Sequence, residues 1–317
     1  MEQSKVRIEK YSPDMKKVWN EFVESSKNGT FLFNRDYMDY HSDRFEDFSL
    51  LIYRKDKLYC LIPANRKEDT IYSHGGLTYG GMIMNNKCSA EGILEVFNEM
   101  IAYLNNHDIK RLIYKPVPHI YHSLPAEEDL YALFRNNAIL KIRNISCTID
   151  RRNRVELSRM RRRALKRAEE SEIIVKETSA FEEFWEIMEE NLKNKYNASP
   201  VHSLSEMKYL NLKFPDNIRL FGAFIDDRMI AGGVFYVSSH VVHAQYMHAK
   251  EDGKERGAID ALVHHLLKNE FLQMPYFDFG TSNEDGGRIL NESLIHQKEG
   301  FGGRAICYDT YEIDIKS

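Results

Sequence analysis

Strand-like and helical stretches follow one another along the chain in an order that occurs twice. The segment 48–64 consists of two apolar runs around a charged turn, and the segment 218–237 has the same pattern. Such paired runs predict β-hairpins. A further strand-like run follows each hairpin, at 70–76 and at 241–249. The two halves of the sequence therefore predict the same set of three antiparallel strands.

Helices and later strands continue the correspondence. Apolar residues recur at helical spacing in 90–107 and in 257–271, after the third strand of each half. Each half then predicts a short strand and, after a helical segment, a long closing strand. These strands are 109–116 and 139–150 in the first half, and 276–280 and 304–315 in the second.

Each half also opens in the same way, with a short strand and a helix that contains a tryptophan. Ser12 precedes the helix of Trp19, and Ser179 precedes the helix of Trp185. Serine is a favoured residue at a helix N-cap. The chain therefore predicts two α+β units with one topology. The alternative is one large mixed domain in which the similarity arises by chance.

The segment between these units is strongly basic. Residues 151–170 contain nine arginines and lysines against three glutamates. Their apolar side chains fall on one helical face, which predicts an amphipathic helix that docks by this face. The apolar face would consist of Leu157, Met160, Ala164, Leu165 and Ala168, and the solvent face of Arg159, Arg161, Arg162, Arg163, Lys166 and Arg167. The solvent face is either an anion-binding patch or a merely solvated surface. We thus expect a first unit in 1–150, a linker helix in 151–172 and a second unit in 173–317.

The bulk composition excludes several classes of protein. Of the 317 residues, 43% are hydrophobic and 29% charged, which is typical of a globular protein with packed cores. A net charge of −4 excludes a uniformly basic nucleic-acid binder, so an anionic polymer would need a local patch. Four cysteines without a CxxC spacing indicate reduced side chains. The histidines lack acidic partners at ligand spacing, so we expect no metal.

The chain shows no signal for a membrane or for export. No apolar run approaches the roughly 18 residues of a membrane-spanning helix. The first residues lack the apolar region of a signal peptide. We expect a cytoplasmic protein without a transmembrane segment.

Three stretches carry a resemblance to a known family. They are SHGGLTYGGM at 73–82, LSRMRRRALKRAEE at 157–170, and FDFGTSNEDGGRILNESLIHQKEGFGGRA at 277–305. In this order, and with the twofold succession of elements, they resemble the GNAT acyltransferases in tandem. More specifically they resemble the Fem family, which builds peptidoglycan interpeptide bridges, and its FemAB-like relatives. The resemblance covers nearly the whole chain, although the long helical hairpin of some Fem proteins is missing.

The resemblance implies a mixed α/β (α+β) fold of two GNAT-like domains joined by the basic helix. It also implies an N-acyltransferase that moves an activated acyl group to an amine on a small molecule or a cell-wall precursor. No tightly bound cofactor is expected, since the donor is a co-substrate. The donor we expect first is an acyl-CoA, and the alternative is an aminoacyl-tRNA. An interpretation from another class is a non-catalytic module on the same fold that binds anionic polymers or a glycan.

The resemblance places the donor between the fourth and fifth strands of the second unit, which separate in GNAT folds. Unpaired backbone N–H groups there can hold the donor carbonyl. Gly280 and Thr281 at the strand end would allow close approach. The phosphate loop that holds coenzyme A corresponds to Gly253, Arg256, Gly257 and Ala258. Its spacing departs from the family pattern, and neighbouring acids would repel pyrophosphate. This departure leaves room for aminoacyl-tRNA.

Three residues are catalytic candidates. Lys298 aligns with the lysine of the Fem closing motif, whose charge would stabilise the tetrahedral intermediate; otherwise it is a surface lysine at a helix end. Glu284 would accept the acceptor's proton, or else cap a helix. Tyr246 lies on the fourth strand and shares a face with His248, whereas His243 lies on the other face. We expect Asp278 only to anchor the turn.

The remaining candidates would contact the acceptor. They are His248, Asn283, Asn291, Phe301 and, in the first unit, His74 and Tyr79. For the first-unit pair, a glycine turn packed against its neighbours is an equal alternative. Phe301 is either a packing or a substrate-facing aromatic.

Overall fold

A computed structural model describes residues 6–196 and 199–315, with no side chains described for 194–196. The chain forms two compact units. The first comprises 1–144, 283–289 and 307–317, and the second comprises 145–282 and 290–306.

Helices and strands alternate in both units. The described α-helices are α1 (Lys16–Ser25), α2 (Arg35–Met38), α3 (Ala90–Asn105), α4 (Glu128–Arg135), α5 (Arg159–Glu170), α6 (Phe181–Tyr196), α7 (Leu204–Lys213), α8 (Glu251–Arg256), α9 (Ala258–His265) and α10 (Glu292–Glu299). The described strands are β1 (Val6–Lys10), β2 (Glu46–Asp47), β3 (Leu50–Arg54), β4 (Lys57–Ile62), β5 (Asn65–Lys67), β6 (Thr70–Tyr72), β7 (Ile83–Met84), β8 (Arg111–Tyr114), β9 (Ile139–Asp150), β10 (Ile174–Glu177), β11 (Ile218–Ile225), β12 (Arg228–Val237), β13 (Val241–Ala249), β14 (Tyr276–Thr281), β15 (Asn283–Glu284), β16 (Ile289–Leu290) and β17 (Arg304–Asp314).

The second unit contains a sheet in the order β10-β11-β12-β13-β14-β9. The predicted hairpin at 218–237 forms β11 and β12, whose turn residues Asp226 and Asp227 both have positive φ. β13 pairs antiparallel with β12 and parallel with β14. The aromatic side chains of Phe221, Phe235 and Phe277 pack in one core with apolar residues of α9. This core fixes the positions of β13 and β14.

The first unit repeats this order, except that β6 and β7 together take the place that β13 has in the second unit. β1, β3 and β4 pair in sequence, and β7 follows next to β4. β6 pairs parallel with β8, as β13 does with β14. The glycine-rich segment 73–82 separates β6 from β7. The predicted strand at 70–76 is therefore wrong beyond Tyr72, because the chain leaves the sheet there.

The two closing strands are exchanged relative to the halves of the sequence. Ile149 of β9 pairs with Phe277 of β14, so the strand at the end of the first half completes the second unit. Glu312 of β17 pairs with Ile113 of β8, so the last strand of the chain completes the first. Both strands have the predicted length, but their pattern alone does not specify which sheet they join.

The basic helix α5 packs within the second unit against α9. Ser158 caps it by accepting the N–H of Arg161, and Ala164 and Ala168 are buried as predicted. Met160 is 53% exposed, so its assignment to the buried face is wrong. Arg161 takes that place: its guanidinium bonds to Asp260, and its side chain is only 13% exposed. A helix that starts at Arg159 turns Arg161 toward the Ala164 face because the two lie three residues apart.

Candidate acyl-transfer site

β13 and β14 run side by side for three residue pairs and then separate. Val241 pairs with Tyr276, and the last pair is His243 with Asp278. Over the described residues, β13 continues to Ala249 with only β12 as its partner on the ladder beyond that point. A bulge near Phe235 further breaks the regular pairing of this stretch. Beyond that pair, no ladder pairing among the described residues joins the facing edges of β13 and β14, and we call the gap between them the slot.

A histidine and an aspartate meet where the strands part. His243 Nδ1 lies 2.7 Å from Asp278 Oδ2. The imidazole remains 14% exposed, whereas the carboxylate is fully buried. A side chain at Gly280 would lie 3.3 Å from His243 Cε1, so the far edge of the ring borders the slot. This edge carries Nε2, which would lie 3.9 Å from the same side chain.

Two hydroxyl groups hold the other oxygen of the same carboxylate. Ser146 Oγ and Thr148 Oγ1, both on β9, donate to Asp278 Oδ1 over 2.5 and 2.7 Å. Burial alone would raise the pKa of Asp278, but the hydrogen bonds from His243, Ser146 and Thr148 outweigh it and lower the pKa. Asp278 is therefore ionised at neutral pH. An ionised acceptor places the proton of the neutral imidazole on Nδ1 and leaves Nε2 as a base.

Lys298 ties down the end of β14. Its Nζ donates to the carbonyl oxygens of Gly280 (2.9 Å) and Thr281 (2.7 Å). Gly280 has a φ of +75°, a conformation that favours glycine. Burial lowers the pKa of Lys298 to about 8, although Asp278 nearby favours the charged form. The lysine therefore lies at the end of β14, with its Nζ beside the slot.

Tyr246 and His248 face α6 from β13, and His243 lies on the same face of the strand because of the bulge between Ala244 and Tyr246. The ring of Tyr246 contacts Trp185, and the ring of His248 contacts Phe184, so both lie against α6. The Tyr246 hydroxyl lies 2.7 Å from His202 Nδ1. Burial raises the pKa of Tyr246. The shared face of Tyr246 and His248 agrees with strand alternation, whereas the contact with His202 gives no sequence signal.

The glycine turn after β13 is a packed helix junction. A side chain at Gly253 would lie 2.3 Å from the carbonyl oxygen of Ile230, and one at Gly257 equally close to that of Ala164. Gly257 has a φ of +78° between α8 and α9, Ala258 behind it is buried, and Arg256 is exposed. These glycines therefore serve helix packing.

Carboxylates occupy the helix ends near this turn. Glu251 and Asp252 lie in the first turn of α8, and Asp252 pairs with Arg228. Asp260 lies in the first turn of α9, buried against Arg161. A pyrophosphate would meet these charges where a helix N-terminus otherwise favours anions.

The closing motif distributes its polar residues over both units. Glu284 is exposed and Asn283 half-buried, both in β15 of the first unit. In the second unit, Asn291 caps α10 by accepting the N–H of Leu294. Phe301 is buried, stacks on Phe279 at 5.3 Å and lies under a guanidinium, so it is a packing residue.

The first-unit candidates are buried in their own unit. The Tyr79 hydroxyl donates to Thr30 Oγ1 (3.2 Å), and its ring lies 4.5 Å from that of Tyr121. His74 accepts the N–H of Gly76 (3.2 Å) and is 3% exposed. Burial, with a smaller effect from His41, lowers the pKa of His74 to about 3. The imidazole is therefore neutral at any physiological pH.

The first unit fills its own strand junction. Beyond the last pair of β6 and β8, the N–H of Ser73 donates to Ile113 O (2.9 Å), and the N–H of Lys115 donates to Ser73 Oγ (2.7 Å). The N–H of Gly80 then donates to Lys115 O (2.9 Å), while Lys115 Nζ donates to Leu77 O. The loop 73–82 thereby bonds the backbone at the end of β8. Among the described residues, the equivalent backbone at the end of β14 in the second unit has no such partner loop on the β13 side.

The exposed cations of α5 form one surface without Arg161. Arg162, Arg163, Lys166 and Arg167 are exposed. Arg162 lies 3.2 Å from Glu156, and Arg167 donates to Glu255 O. Arg161 faces inward, so its place in the predicted anion patch is wrong. We call the exposed set Arg159, Arg162, Arg163, Lys166 and Arg167 the α5 cationic face.

His243 and Asp278 form the pair that sequence reasoning did not assign to catalysis. Strand alternation alone predicts His243 on the face opposite Tyr246. This prediction is wrong, because the bulge between Ala244 and Tyr246 shifts the alternation and brings both residues onto one face. The missing information is the parallel register, which brings position 243 opposite position 278. The sequence shows a histidine on one predicted strand and an aspartate on another. Only the register of the two strands shows that these residues lie opposite each other.

The described residues contain neither a membrane-spanning helix nor a metal-binding cluster. Across the described helices, none has the length and apolar character needed to cross a bilayer. The same part of the chain holds no cluster of three or more histidine, cysteine or acidic side chains suited to a metal ion.

Comparisons with known proteins agree with this architecture. Residues 151–285 match the family model of the acetyltransferase (GNAT) domain. No curated protein matches the sequence significantly. The fold is similar to that of FemX, at 9% identity and a TM-score of 0.69 over 96% of this chain and 97% of that one. L-PGS from Bacillus licheniformis has 11% identity and a TM-score of 0.62 over 96% and 92% of the two chains.

A conserved protein of unknown function from Bacteroides thetaiotaomicron is also similar, at 10% identity and a TM-score of 0.59 over 98% and 100% of the chains. At these identities the likeness concerns the fold. Together with the repeated topology, it gives the chain a FemX-like fold of two GNAT-like units, and residues 151–285 match an acetyltransferase (GNAT) domain.

Proposed function

We propose that the second unit transfers an activated acyl group to an amine in the slot between β13 and β14. The observation that carries the proposal is the end of the parallel ladder at His243 and Asp278, with Lys298 bonded to the next turn of β14. A base, a fixed positive charge and open backbone edges thus adjoin one another. These are the groups that acyl transfer to an amine requires.

In the reaction, the amine nitrogen attacks the donor carbonyl carbon. The new C–N bond forms as the C–O or C–S bond to the donor's carrier breaks. His243 Nε2 accepts the proton that the amine loses and returns it to the departing oxygen or sulfur. Asp278 holds Nδ1–H and stabilises the imidazolium that forms in between.

The negative oxygen of the tetrahedral intermediate would lie against the open edge of β13. Backbone N–H groups on that edge can donate to it, because β14 no longer pairs there. The Lys298 ammonium bonds to two carbonyl oxygens of β14. It therefore adds a positive charge beside the slot and fixes the end of β14, which forms one edge of the slot.

For the donor, we propose an aminoacyl ester of tRNA. Carboxylates of Glu251, Asp252 and Asp260 occupy the helix ends where a coenzyme A pyrophosphate would bind. The α5 cationic face supplies a surface for an anionic polymer. Acyl-CoA remains the second candidate because residues 151–285 match a GNAT domain. The acceptor would be an amine of a small molecule or a cell-wall precursor, and the reaction would take place in the cytoplasm.

The reaction is tested with alanyl-tRNA and acetyl-CoA as donors and alanine amide and Nα-acetyl-lysine as amines, with products followed by mass spectrometry. We expect amide formation with alanyl-tRNA, and a loss of about 10²–10⁴-fold in His243→Ala, the range of a removed general base. His264→Ala, which changes a histidine of α9 outside the slot, is the matched control. Undiminished turnover by His243→Ala would refute the assignment of the base.

The donor classes are separated by binding. Calorimetry with coenzyme A should give no heat at millimolar ligand, whereas binding of tRNA should weaken steeply with salt. The triple change of Arg162, Arg163 and Lys166 to Ala should reduce the salt slope by about 2–3. Changing Lys55, Lys57 and Lys87 to Ala alters the charge equally in the first unit and should leave the slope unchanged. Tight coenzyme A binding with no tRNA binding would favour acyl-CoA instead.

A further inference from the structure

The carboxylate of Asp278 receives three hydrogen bonds, and two of them come from β9. Ser146 and Thr148 both donate to Oδ1, which leaves Oδ2 to His243. All four side chains lie in the second unit, and Ser146, Thr148 and Asp278 are buried. A buried carboxylate with only the imidazole as partner would be poorly satisfied. The hydroxyls therefore complete its hydrogen bonding.

We propose that Ser146 and Thr148 are positioning residues that orient Asp278 and set the strength of its bond to His243. This inference rests on the proposed function. Both hydroxyl donors lie on the same oxygen, so they fix the rotation of the carboxylate and direct Oδ2 at Nδ1. They also draw negative charge toward Oδ1. The imidazole thereby keeps its orientation. Because the two hydroxyl groups make Asp278 less basic, the proton stays on Nδ1.

The two hydroxyl donors lie outside the matched GNAT domain in the sequence. Ser146 and Thr148 precede residue 151, where the match to the GNAT domain model begins. They reach the site because β9 pairs with β14, with Thr148 opposite Asp278. The catalytic pair thus depends on a strand that precedes the matched domain in sequence.

Lys298 and Cys147 are two further titratable groups that interact electrostatically with Asp278. Lys298 favours the ionised aspartate by its charge. Burial raises the pKa of Cys147 to about 12, so the thiol is neutral. The two hydroxyl groups of Ser146 and Thr148 are the recorded donors to Oδ1.

The test compares two substitutions at one position in the full-length protein. Thr148→Val keeps the side-chain shape and removes the donor, whereas Thr148→Ser keeps the donor and removes a methyl group. The first readout is the proton NMR resonance of His243 Nδ1–H, identified by its absence in His243→Gln. We expect this resonance to move downfield in Thr148→Val, because Asp278 becomes a stronger acceptor, and to stay in place in Thr148→Ser. Thr310→Val, in β17 of the first unit, is the control for a threonine-to-valine change.

The second readout is turnover of alanyl-tRNA with alanine amide. Thr148→Val should lower kcat about tenfold with little change in KM, and Ser146→Ala with Thr148→Val should lower it further. Thr148→Ser should restore kcat. An unmoved resonance in Thr148→Val would overturn the positioning role whatever the activity. If the resonance moves but His243→Ala retains full turnover, the proposed function is wrong, whereas the positioning of Asp278 by Ser146 and Thr148 is still supported.

Discussion

At the scale of the residue, the site shows how one lysine depends on its neighbours. The closing motif predicts Lys298 as a fixed charge, and the structure places its Nζ on two carbonyl oxygens of the β14 end. Such bonds leave one of three N–H groups for a substrate. Burial brings its pKa to about 8, far below that of an exposed lysine. Its charge is therefore sensitive to pH in the range where enzymes are assayed.

The alkaline limb of the reaction should report this lysine. As pH rises through about 8, Lys298 loses its proton, so turnover should fall if the charge stabilises the intermediate. Lys298→Arg keeps the charge at every assay pH, and its turnover should stay level up to pH 10. Lys298→Ala should lose about 10²–10³-fold at pH 7, as when one oxyanion donor is removed. Initial rates of amide formation against pH, corrected for spontaneous hydrolysis of the alanyl ester, give the comparison. An unchanged alkaline limb in Lys298→Arg would assign the limb to another group.

At the scale of the element, α5 combines two roles on opposite faces. Its inner face docks on α9 through Ala164, Ala168 and the pair of Arg161 with Asp260. Burial raises the pKa of Asp260 even though Arg161 lies beside it. The guanidinium also lies 3.9 Å above the Phe301 ring. The arginine at the centre of the basic run is therefore a docking residue, and the remaining cations face solvent.

Removing this arginine should destabilise the second unit. Arg161→Leu leaves the buried carboxylate of Asp260 without its partner, which costs about 3–5 kcal/mol. The double change with Asp260→Leu should recover most of this loss, because no unpaired charge remains. Urea unfolding measures both. Arg163→Leu, on the exposed face, should stay within about 0.5 kcal/mol of the parent. A loss below about 1 kcal/mol in Arg161→Leu would contradict the docking role.

At the scale of the whole molecule, the chain holds two copies of one topology with different strand junctions. In the second unit the junction of β13 and β14 stays open, whereas in the first the loop 73–82 bonds the corresponding backbone. Each unit is completed by the closing strand of the other sequence half. Fragments cut at the sequence repeat therefore do not correspond to folded units.

Two fragments of the second unit should differ in stability for this reason. Residues 145–306 retain the part of β9 that pairs with β14, whereas residues 151–317 lack it and carry β17, which pairs in the first unit. We expect the first fragment to unfold cooperatively on heating and the second to show no cooperative transition. Differential scanning calorimetry and amide proton NMR spectra make the comparison. Cooperative unfolding of 151–317 alone would contradict the strand exchange.

Much of the fold is readable from the sequence by itself, because local patterns report local structure. The hairpins, the helices α3 and α9 and the closing strands β9 and β17 follow from alternation and helical spacing. The closing motif and the motif order predict the site at the end of β14. The resemblance to GNAT acyltransferases follows from the same order of elements. These features depend on residues close together in the chain.

Only the tertiary structure decided which strands meet and which side chains share a carboxylate. The pairing of His243 with Asp278, the hydroxyls of Ser146 and Thr148, and the exchange of β9 and β17 all depend on register between distant segments. A strand's own pattern specifies its faces but not its neighbour. For the same reason Arg161 reads as one more cation of a basic run, and only the packing of α5 on α9 buries it beside Asp260.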